Sequence, residues 1–361
     1  MTRKLNFHAG PSTLPVEVLE ELQKNMVDFQ GTGLSLIEES HRSGNYEAVH
    51  NAAVALFREL LSVPDSYDIL FLGGGATLQF AMIPMNFLPQ GKTAEYVATG
   101  TWSKKAIDDA KKLGSVRVVF DGKESGYTTL PDPASMKVDP EAAYLHITAN
   151  ETIGGLEWKG WPETGGVPLV CDMSSDILSR PVPVEKFSLI YAGAQKNLGP
   201  AGTTVVLLRK DMLDRIPDTL PAYLNYKNHA ANNSLYNTPP VFAIWTIKLV
   251  LEHMKKNGGL AAVAERNLKK AGLVYGVIDS SGGFFRSPVD ARYRSNMNLV
   301  FRLPTEELEK KFIDEAKAAG MIGLKGHRSV GGCRASLYNA MTLGGAETLA
   351  AFMKEFAAKN A

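Results

Sequence analysis

Two ionisable side chains follow apolar runs that are typical of buried strands. Lys196 comes after the run from Leu189 to Gln195, and Asp172 closes the run from Val167 to Cys171. Burying a lysine ammonium is costly, and that cost lowers its pKa toward a neutral amine that can attack a carbonyl. Most lysines after strands are simply solvated, so Lys196 taken alone leaves both interpretations open.

The pairing of Lys196 with Asp172 favours one shared site. Ligands of open α/β sheets bind at the carboxyl ends of the strands, where both side chains would project. Pyridoxal phosphate needs an amine that forms a Schiff base with its aldehyde and an anion beside its pyridinium nitrogen. The two residues therefore indicate a pyridoxal phosphate site.

A glycine loop follows another apolar run. The segment from Phe71 to Thr77 reads FLGGGAT and leads into a helical pattern from Leu78 to Asn86. Such a junction offers backbone N–H groups and a helix N-terminus to a phosphate. The segment lacks the lysine of a Walker loop and the GxGxxG pattern, so a nucleotide site is only weakly indicated. A tight turn that tolerates glycine is the alternative.

Two further side chains also lie just after strand-like runs. Trp102 could stack on a flat heteroaromatic ring, although a packed core tryptophan is the commoner case. Thr152 could donate its hydroxyl to a ring oxygen, and a turn hydroxyl is the alternative there.

Two cationic clusters could recognise anions. The first is His41 with Arg42, and the second, between Gly326 and Ser336, contains His327, Arg328 and Arg334. Arginine binds carboxylate or phosphate bidentately, and a dianionic substrate requires several such groups. Solvated surface arginines are the alternative, but the flanking glycines suit a backbone close to a ligand.

The elements that must position these residues alternate along the chain. Strands are predicted over residues 68–72, 94–99, 116–120, 143–148, 167–171, 189–192 and 203–208, and helices over 14–30, 47–61 and 241–257. This alternation predicts an α/β fold with a mostly parallel, helix-covered sheet. After Gly258 the pattern changes to a smaller α+β domain with helices over 260–279, from Thr305 and over 346–358. Strands are predicted there over 284–287 and 297–302.

Composition narrows the classes of protein. The chain has 361 residues, of which 45% are hydrophobic and 21% charged, with a formal net charge of +1. These values suit a globular protein and give no basic footprint for nucleic acid or an anionic membrane. No apolar stretch is long enough to span a membrane, and two cysteines without metal-ligand spacing suit a reducing compartment. We expect a cytoplasmic protein that uses no metal.

Taken together, the motifs resemble the phosphoserine aminotransferase family of the class V aminotransferases. The resemblance covers essentially the whole chain and rests on NFHAGPSTLP, SHRS, GGGATLQF, GTWS, ANETIGGLEW, CDMSSDILSRP, YAGAQKNLGPAG, NNSLYNTPP and GHRSVGGCRASLYNA. It implies the fold-type-I architecture of pyridoxal-phosphate-dependent transferases. The large cofactor domain would span residues 16–258, and residues 1–15 with 259–361 would form the small domain.

The resemblance also implies a role for each residue. Lys196 would form the Schiff base, Asp172 would pair with the pyridine nitrogen, Trp102 would stack on the ring and Thr152 would bond its phenolic oxygen. The cofactor phosphate would be held by Ala76, Thr77 and Gln195, together with Asn237 and Thr238 from the other subunit of a homodimer with shared sites.

Arg334 would bind the substrate α-carboxylate, and a pocket of His41, Arg42, His327 and Arg328 would take the phosphate or distal carboxylate. Some family members carry serine where this chain has Ala9, which puts a side-chain contact from that position in doubt.

The implied reaction transfers an amino group reversibly from L-glutamate to 3-phosphohydroxypyruvate, giving O-phospho-L-serine and 2-oxoglutarate in serine biosynthesis. Some family members also form 4-phosphohydroxy-L-threonine in pyridoxine biosynthesis. The alternative within the architecture is a serine or alanine-glyoxylate aminotransferase, whose substrates lack the phosphate. A cysteine desulfurase, a cofactor-free Schiff-base aldolase and a non-catalytic phosphate-binding protein are further alternatives.

Overall fold

The computed structural model describes residues 3–361, and their strands and helices account for most of the predicted elements. The strands are β1 (Leu5–Asn6), β2 (Tyr67–Leu72), β3 (Thr93–Ala98), β4 (Ser115–Asp121), β5 (Leu145–Thr148), β6 (Asn150–Glu151), β7 (Leu156–Glu157), β8 (Leu169–Asp172), β9 (Leu189–Gly193), β10 (Thr204–Arg209), β11 (Asn298–Phe301), β12 (Met321–Ile322) and β13 (Cys333–Ser336). The helices are α1 (Val16–Lys24), α2 (Gly44–Leu61), α3 (Gly75–Phe87), α4 (Thr101–Ala110), α5 (Tyr226–Ala231), α6 (Val241–Lys256), α7 (Gly259–Ser280), α8 (Glu306–Ala318) and α9 (Leu343–Asn360).

The central sheet has seven strands in the order β2-β10-β9-β8-β5-β3-β4. Strand β10 is antiparallel to both of its neighbours, and the other pairs are parallel. All seven strands predicted for the large sheet are therefore confirmed, as is its mostly parallel arrangement. Strands β2, β3, β5, β8 and β9 run in one direction, so their carboxyl ends lie along one edge.

Both faces of the sheet are covered by helices. Successive side chains of a strand point to opposite faces, so each strand contributes to both cores. One face packs against α2 and α6, with Ile69 and Phe71 of β2 in that core. The other packs against α3 and α4, with Leu70 and Leu72 in that core. Strands buried on both faces explain the continuous apolar runs of the sequence.

A third core gathers the C-terminal elements and Phe7 of the N-terminal segment. Strand β1 pairs in parallel with β12, and β11 pairs with β13. Helix α7 spans two cores, since Val263 packs with the large sheet and Val274 with the C-terminal elements. The division into residues 16–258 and 1–15 with 259–361 stays a prediction.

Two predicted elements are wrong in extent. The helix expected over 14–30 ends at Lys24, because Asn25 bonds back to Glu21 and the following loop needs positive φ at Gly31 and Gly33. The strand expected over 284–287 is reduced to a single bridge between Arg286 and Arg302. Among residues 3–361, no helix combines the length and apolar character needed to cross a membrane.

Candidate active site

Five parallel strands deliver the predicted site residues to one edge of the sheet. Asp172 ends β8, Lys196 follows β9 and Trp102 follows β3, while Thr152 comes after β5 and the short strand β6. The glycine loop from Gly73 follows β2. Residues that lie far apart in sequence therefore meet at the edge where open α/β sheets bind ligands.

Lys196 is 9% exposed, and its ammonium is held by a residue of the turn that follows β6. Its Nζ donates to Thr152 Oγ1 at 2.6 Å and lies 5.5 Å from the centroid of the Trp102 ring. Burial lowers the pKa of Lys196 to about 8, against the opposing effect of Asp172 and Glu151. A substantial fraction of this amine is neutral near pH 8, which is the form that attacks a carbonyl.

Asp172 is buried and faces Lys196 without forming an ion pair with it. Its Oδ1 accepts from the Ser174 backbone N–H at 2.8 Å. Burial raises the pKa of Asp172, while Lys196 and Ser174 oppose the rise. The carboxylate and the amine therefore stand apart in one site, as two groups that hold opposite ends of a ring must.

The Gly10–Pro11 turn lies against the catalytic lysine candidate. A Cβ at Gly10, whose φ is +136°, would lie 3.3 Å from Lys196 Cγ. The Ser12 hydroxyl donates to the Lys196 carbonyl. Position 9 contributes through its backbone, because Tyr338 donates to the Ala9 carbonyl at 2.8 Å. The alanine at position 9 leaves that backbone contact in place.

The glycine loop forms the start of α3. Gly74 precedes the helix with a φ of +84°, and Gly75 begins it with a φ of +66°. A Cβ at Gly73 would come within 2.8 Å of the Tyr223 hydroxyl. The first N–H groups of the helix, including those of Ala76 and Thr77, have no partner within the helix and can bind a phosphate.

Glu151 is a site residue to which the sequence reasoning gave no role. Its buried carboxylate accepts from the Trp102 N–H at 3.1 Å, the Ser103 N–H at 3.0 Å and the Ser103 hydroxyl at 2.8 Å. It thus replaces the missing side chain of Gly100, the residue before α4. Burial raises the pKa of Glu151, and these donors oppose the rise. An acidic residue next to Thr152, after a strand, was the available signal.

Arg334, on β13, brings the C-terminal part of the chain to the same edge. One of its terminal nitrogens donates to the Thr152 carbonyl at 3.1 Å, while its buried Nε has no partner among residues 3–361. Burial lowers the pKa of Arg334. A buried guanidinium N–H aimed at no protein acceptor suits a ligand carboxylate.

His327 and Arg328 share the electrostatic surroundings of Arg334. Burial lowers the pKa of His327, and Arg334, Arg328 and Lys105 lower it further. Lys105 also lies 4.6 Å from the centroid of the Trp102 ring. The sequence reasoning missed Lys105, which has no motif of its own and joins the cluster only because α4 carries it there.

The first cationic cluster, His41 with Arg42, lies elsewhere in the single chain. His41 Nδ1 is 3.2 Å from Thr238 Oγ1, and Asn237 and Thr238 line a separate cavity beside Gly73. No hydrogen bond or ion pair within residues 3–361 joins His41 or Arg42 to His327. The predicted pocket of four cationic residues is therefore not assembled by contacts within one chain, and it stays a prediction.

The comparisons with known proteins agree over nearly the whole chain. Residues 4–349 match the family model of class-V aminotransferases. The chain is similar to phosphoserine aminotransferase from Geobacillus kaustophilus, with 57% identity over 99% of both chains, and to that of Bacillus subtilis, with 51% identity over 100% of both.

Solved structures give the same result. The chain is similar to phosphoserine aminotransferase from Bacillus circulans subsp. alkalophilus, with a TM-score of 0.98, 52% identity and 99% of both chains covered. A pyridoxal-phosphate-bound phosphoserine aminotransferase from Trichomonas vaginalis gives a TM-score of 0.89 at 38% identity, over 98% of this chain and 100% of that one. An alanine-glyoxylate aminotransferase from Nostoc, at 17% identity and a TM-score of 0.74, shares the fold.

Proposed function

The chain belongs to the class-V aminotransferases and, within them, to the phosphoserine aminotransferase family, and we propose that it transfers an amino group reversibly between L-glutamate and 3-phosphohydroxypyruvate. The products are O-phospho-L-serine and 2-oxoglutarate, which places the enzyme in serine biosynthesis. One observation carries the proposal: buried Lys196 is held by Thr152, lies 5.5 Å from the centroid of the Trp102 ring, and is close enough to Asp172 and Arg334 for both to affect its pKa.

The residues present fit pyridoxal phosphate as the cofactor. Trp102 Nε1 and Arg334 Nε are buried donors without a partner among residues 3–361, so the site presents polar groups that a bound ligand can satisfy. Lys196 would hold the aldehyde, Asp172 the ring nitrogen and Thr152 the phenolic oxygen. The phosphate would be held by Ala76, Thr77 and Gln195 of one subunit and Asn237 and Thr238 of the partner subunit.

When bound, pyridoxal phosphate supplies an electron sink for the pair left at the substrate α-carbon after its proton departs. The chain supplies the proton transfer, because the neutral Lys196 Nζ can accept that proton and return it. The ionised Asp172 keeps a proton on the ring nitrogen. Trp102, whose ring centroid lies 5.5 Å from Lys196 Nζ, would limit the access of water to the amine.

Substrate recognition follows from the two cationic clusters. Arg334 would bind the α-carboxylate common to both amino acids, and its unpartnered Nε supports that role. His327 and Arg328 would take the phosphate of phosphoserine or the distal carboxylate of glutamate. The substrates of a serine or alanine-glyoxylate aminotransferase lack a phosphate, so His327 and Arg328, together with His41 and Arg42, argue against that alternative.

We further propose a cytoplasmic homodimer with shared sites. If Thr238 binds the cofactor phosphate of the partner subunit, His41 also lies near the partner's site, because its Nδ1 is 3.2 Å from Thr238 Oγ1. His41 and Arg42 would then face the partner's site and complete its cluster of four cationic residues.

The cysteines support the cytoplasmic location. Cys171 and Cys333 are buried and unpaired, which suits a reducing compartment.

The half-reaction tests the proposal. The enzyme loaded with pyridoxal phosphate is mixed with O-phospho-L-serine, L-glutamate or L-alanine, and the loss of the Schiff-base absorbance is followed. We expect the first two amino acids to bleach it and alanine to leave it unchanged. A response to alanine comparable with that to phosphoserine would favour the glyoxylate aminotransferases instead. Adding 4-phosphohydroxy-L-threonine to the series tests whether the pyridoxine precursor is also a substrate.

A further inference from the structure

Two buried polar side chains behind Asp172 take no part in the proposed reaction. The Tyr191 hydroxyl lies 2.9 Å from His146 Nε2, and both residues are buried. Tyr191 on β9 is also the register partner of Asp172 on β8, so the two side chains lie side by side on one face of the sheet. The proximity of Tyr191 lowers the pKa of the Asp172 carboxyl.

His146 is itself held in place. Its ring stacks on that of Tyr96, with centroids 4.9 Å apart and an interplanar angle of 25°. The Tyr96 hydroxyl is 2.7 Å from that of Tyr144 and forms no hydrogen bond with His146. Burial lowers the pKa of His146 to about 3, so the ring is neutral at physiological pH and carries one N–H.

Counting protons fixes the direction of these hydrogen bonds. A tyrosine hydroxyl has a single proton, and its bond to a carboxylate is charge-assisted and therefore the stronger one. If Tyr191 donates to Asp172, its oxygen must accept from His146 Nε2–H. The remaining nitrogen, Nδ1, has no partner among residues 3–361, and this assignment leaves it a bare acceptor rather than an unpaired buried N–H.

We propose that His146 and Tyr191 are positioning residues that hold Asp172 ionised and aimed at the cofactor's ring nitrogen. His146 donates to Tyr191, and Tyr191 donates to Asp172. The inference rests on the proposed function, because Asp172 has a ring nitrogen to face only when pyridoxal phosphate is bound. It adds two residues, His146 on β5 and Tyr191 on β9, that act on the reaction through Asp172.

Tyr191→Phe tests the inference, with Tyr96→Phe as the matched control. Each variant loses one buried hydroxyl on the same face of the sheet and keeps its aromatic ring. Of the two hydroxyls, that of Tyr191 lies within hydrogen-bond distance of His146, and that of Tyr96 bonds with Tyr144 instead. We expect Tyr191→Phe to weaken pyridoxal phosphate binding and to lower kcat about tenfold each, the value of one hydrogen bond to a charged group. The KM values for phosphoserine and glutamate should stay unchanged, because the substrate contacts are intact.

A second pair of variants covers the case in which Tyr191→Phe fails to fold. His146→Gln keeps an N–H donor near the position of Nε2, whereas His146→Leu removes it. We expect the glutamine variant to recover most of the cofactor affinity that the leucine variant loses. Equal affinities in these two variants, or equal effects of Tyr191→Phe and Tyr96→Phe, would overturn the inference.

The unaltered enzyme separates this inference from the proposed function. Cofactor affinity is measured by titrating the apoenzyme with pyridoxal phosphate and following the visible absorbance. If the unaltered protein forms no Schiff base, the proposed function fails and the inference falls with it. If it does and bleaches with phosphoserine while Tyr191→Phe behaves like Tyr96→Phe, the inference alone is overturned.

Discussion

At the scale of single residues, the chemistry of the site depends on the protonation state of each buried ionisable group. Lys196 is an amine whose burial outweighs the attraction of Asp172 and Glu151, so its pKa falls to about 8 from the usual 10.5. The pKa of Asp172 is raised, because burial also disfavours its charged form. The two pKa shifts make each residue easier to neutralise than it would be in water. A protonated ring bound beside Asp172 would favour the ionised carboxylate again.

The lowered pKa of Lys196 predicts how the apoenzyme captures pyridoxal phosphate. Only the neutral amine attacks the aldehyde, so the capture rate should rise with pH and level off above about pH 8. A solvated lysine would give a rate still rising above roughly pH 10. Stopped-flow absorbance over roughly pH 6–11 measures the rate. A profile with no plateau below about pH 10 would contradict the assigned pKa.

Arg334 should affect both substrates alike, since both carry an α-carboxylate. We expect Arg334→Ala to raise the KM for phosphoserine and for glutamate by about tenfold to 100-fold, as a charge-assisted hydrogen bond is lost. Steady-state kinetics measure the change. Arg292→Ala is the control, because Arg292 is an exposed residue paired with Asp290. An unchanged KM for either substrate would remove Arg334 from this role.

At the scale of elements, the start of α4 is built from two distant segments. Trp102 and Ser103 are placed by the Glu151 carboxylate, and a Cβ at Gly100 would lie 2.7 Å from the Glu151 Cδ. Sequence reasoning found the strand before Trp102 but not its cap, because the capping residue comes from another strand. Contacts of this kind have no local sequence signature.

Removing the Glu151 carboxylate should therefore destabilise the fold and shift Trp102. We expect Glu151→Ala to lower the free energy of unfolding by about 2 kcal/mol, because buried N–H donors lose their acceptor. Urea unfolding followed by circular dichroism gives the value. Glu124→Ala, at an exposed position, is the control. A loss no greater than that of the control would show that the cap does not stabilise α4.

The sequence predicted the elements correctly where their formation depends on the local pattern of apolar residues. Apolar runs predicted all seven strands of the large sheet. Six of these strands are buried along most of their length, whereas β4 is an edge strand with no buried residue and still carries a short apolar run. The strand expected over 284–287 failed because Gly282 and Gly283, both at positive φ, and Pro288 confine the segment to one bridge. The helix expected over 14–30 failed because apolar spacing continues past Lys24 into a loop that packs Phe29 in the core.

At the scale of the whole molecule, the single chain separates residues that the sequence reasoning had grouped. His327 and Arg328 lie with Arg334, whereas His41 lies with Thr238. Spacing and residue type pointed to anion recognition in both clusters, but they carry no information about which subunit supplies each one. The proposed dimer brings the two clusters together.

Mixed dimers test the shared site. Lys196→Ala subunits are combined with Arg42→Ala subunits, and each variant is inactive or impaired alone. With shared sites, a mixed dimer has one site with an intact Lys196 and an intact Arg42 from its partner, so a random mixture should recover about a quarter of the full activity. Each variant incubated with itself is the control. No recovery on mixing would mean that each subunit builds its own site.

The most direct test of the account is to trap the Schiff base and locate it. The enzyme with pyridoxal phosphate is reduced with borohydride, digested and analysed by mass spectrometry, before and after incubation with O-phospho-L-serine or L-alanine. We expect the pyridoxyl group on Lys196, no label after phosphoserine has taken the aldehyde from the lysine, and full label after alanine. A label on another lysine, or one that phosphoserine does not remove, would contradict the account.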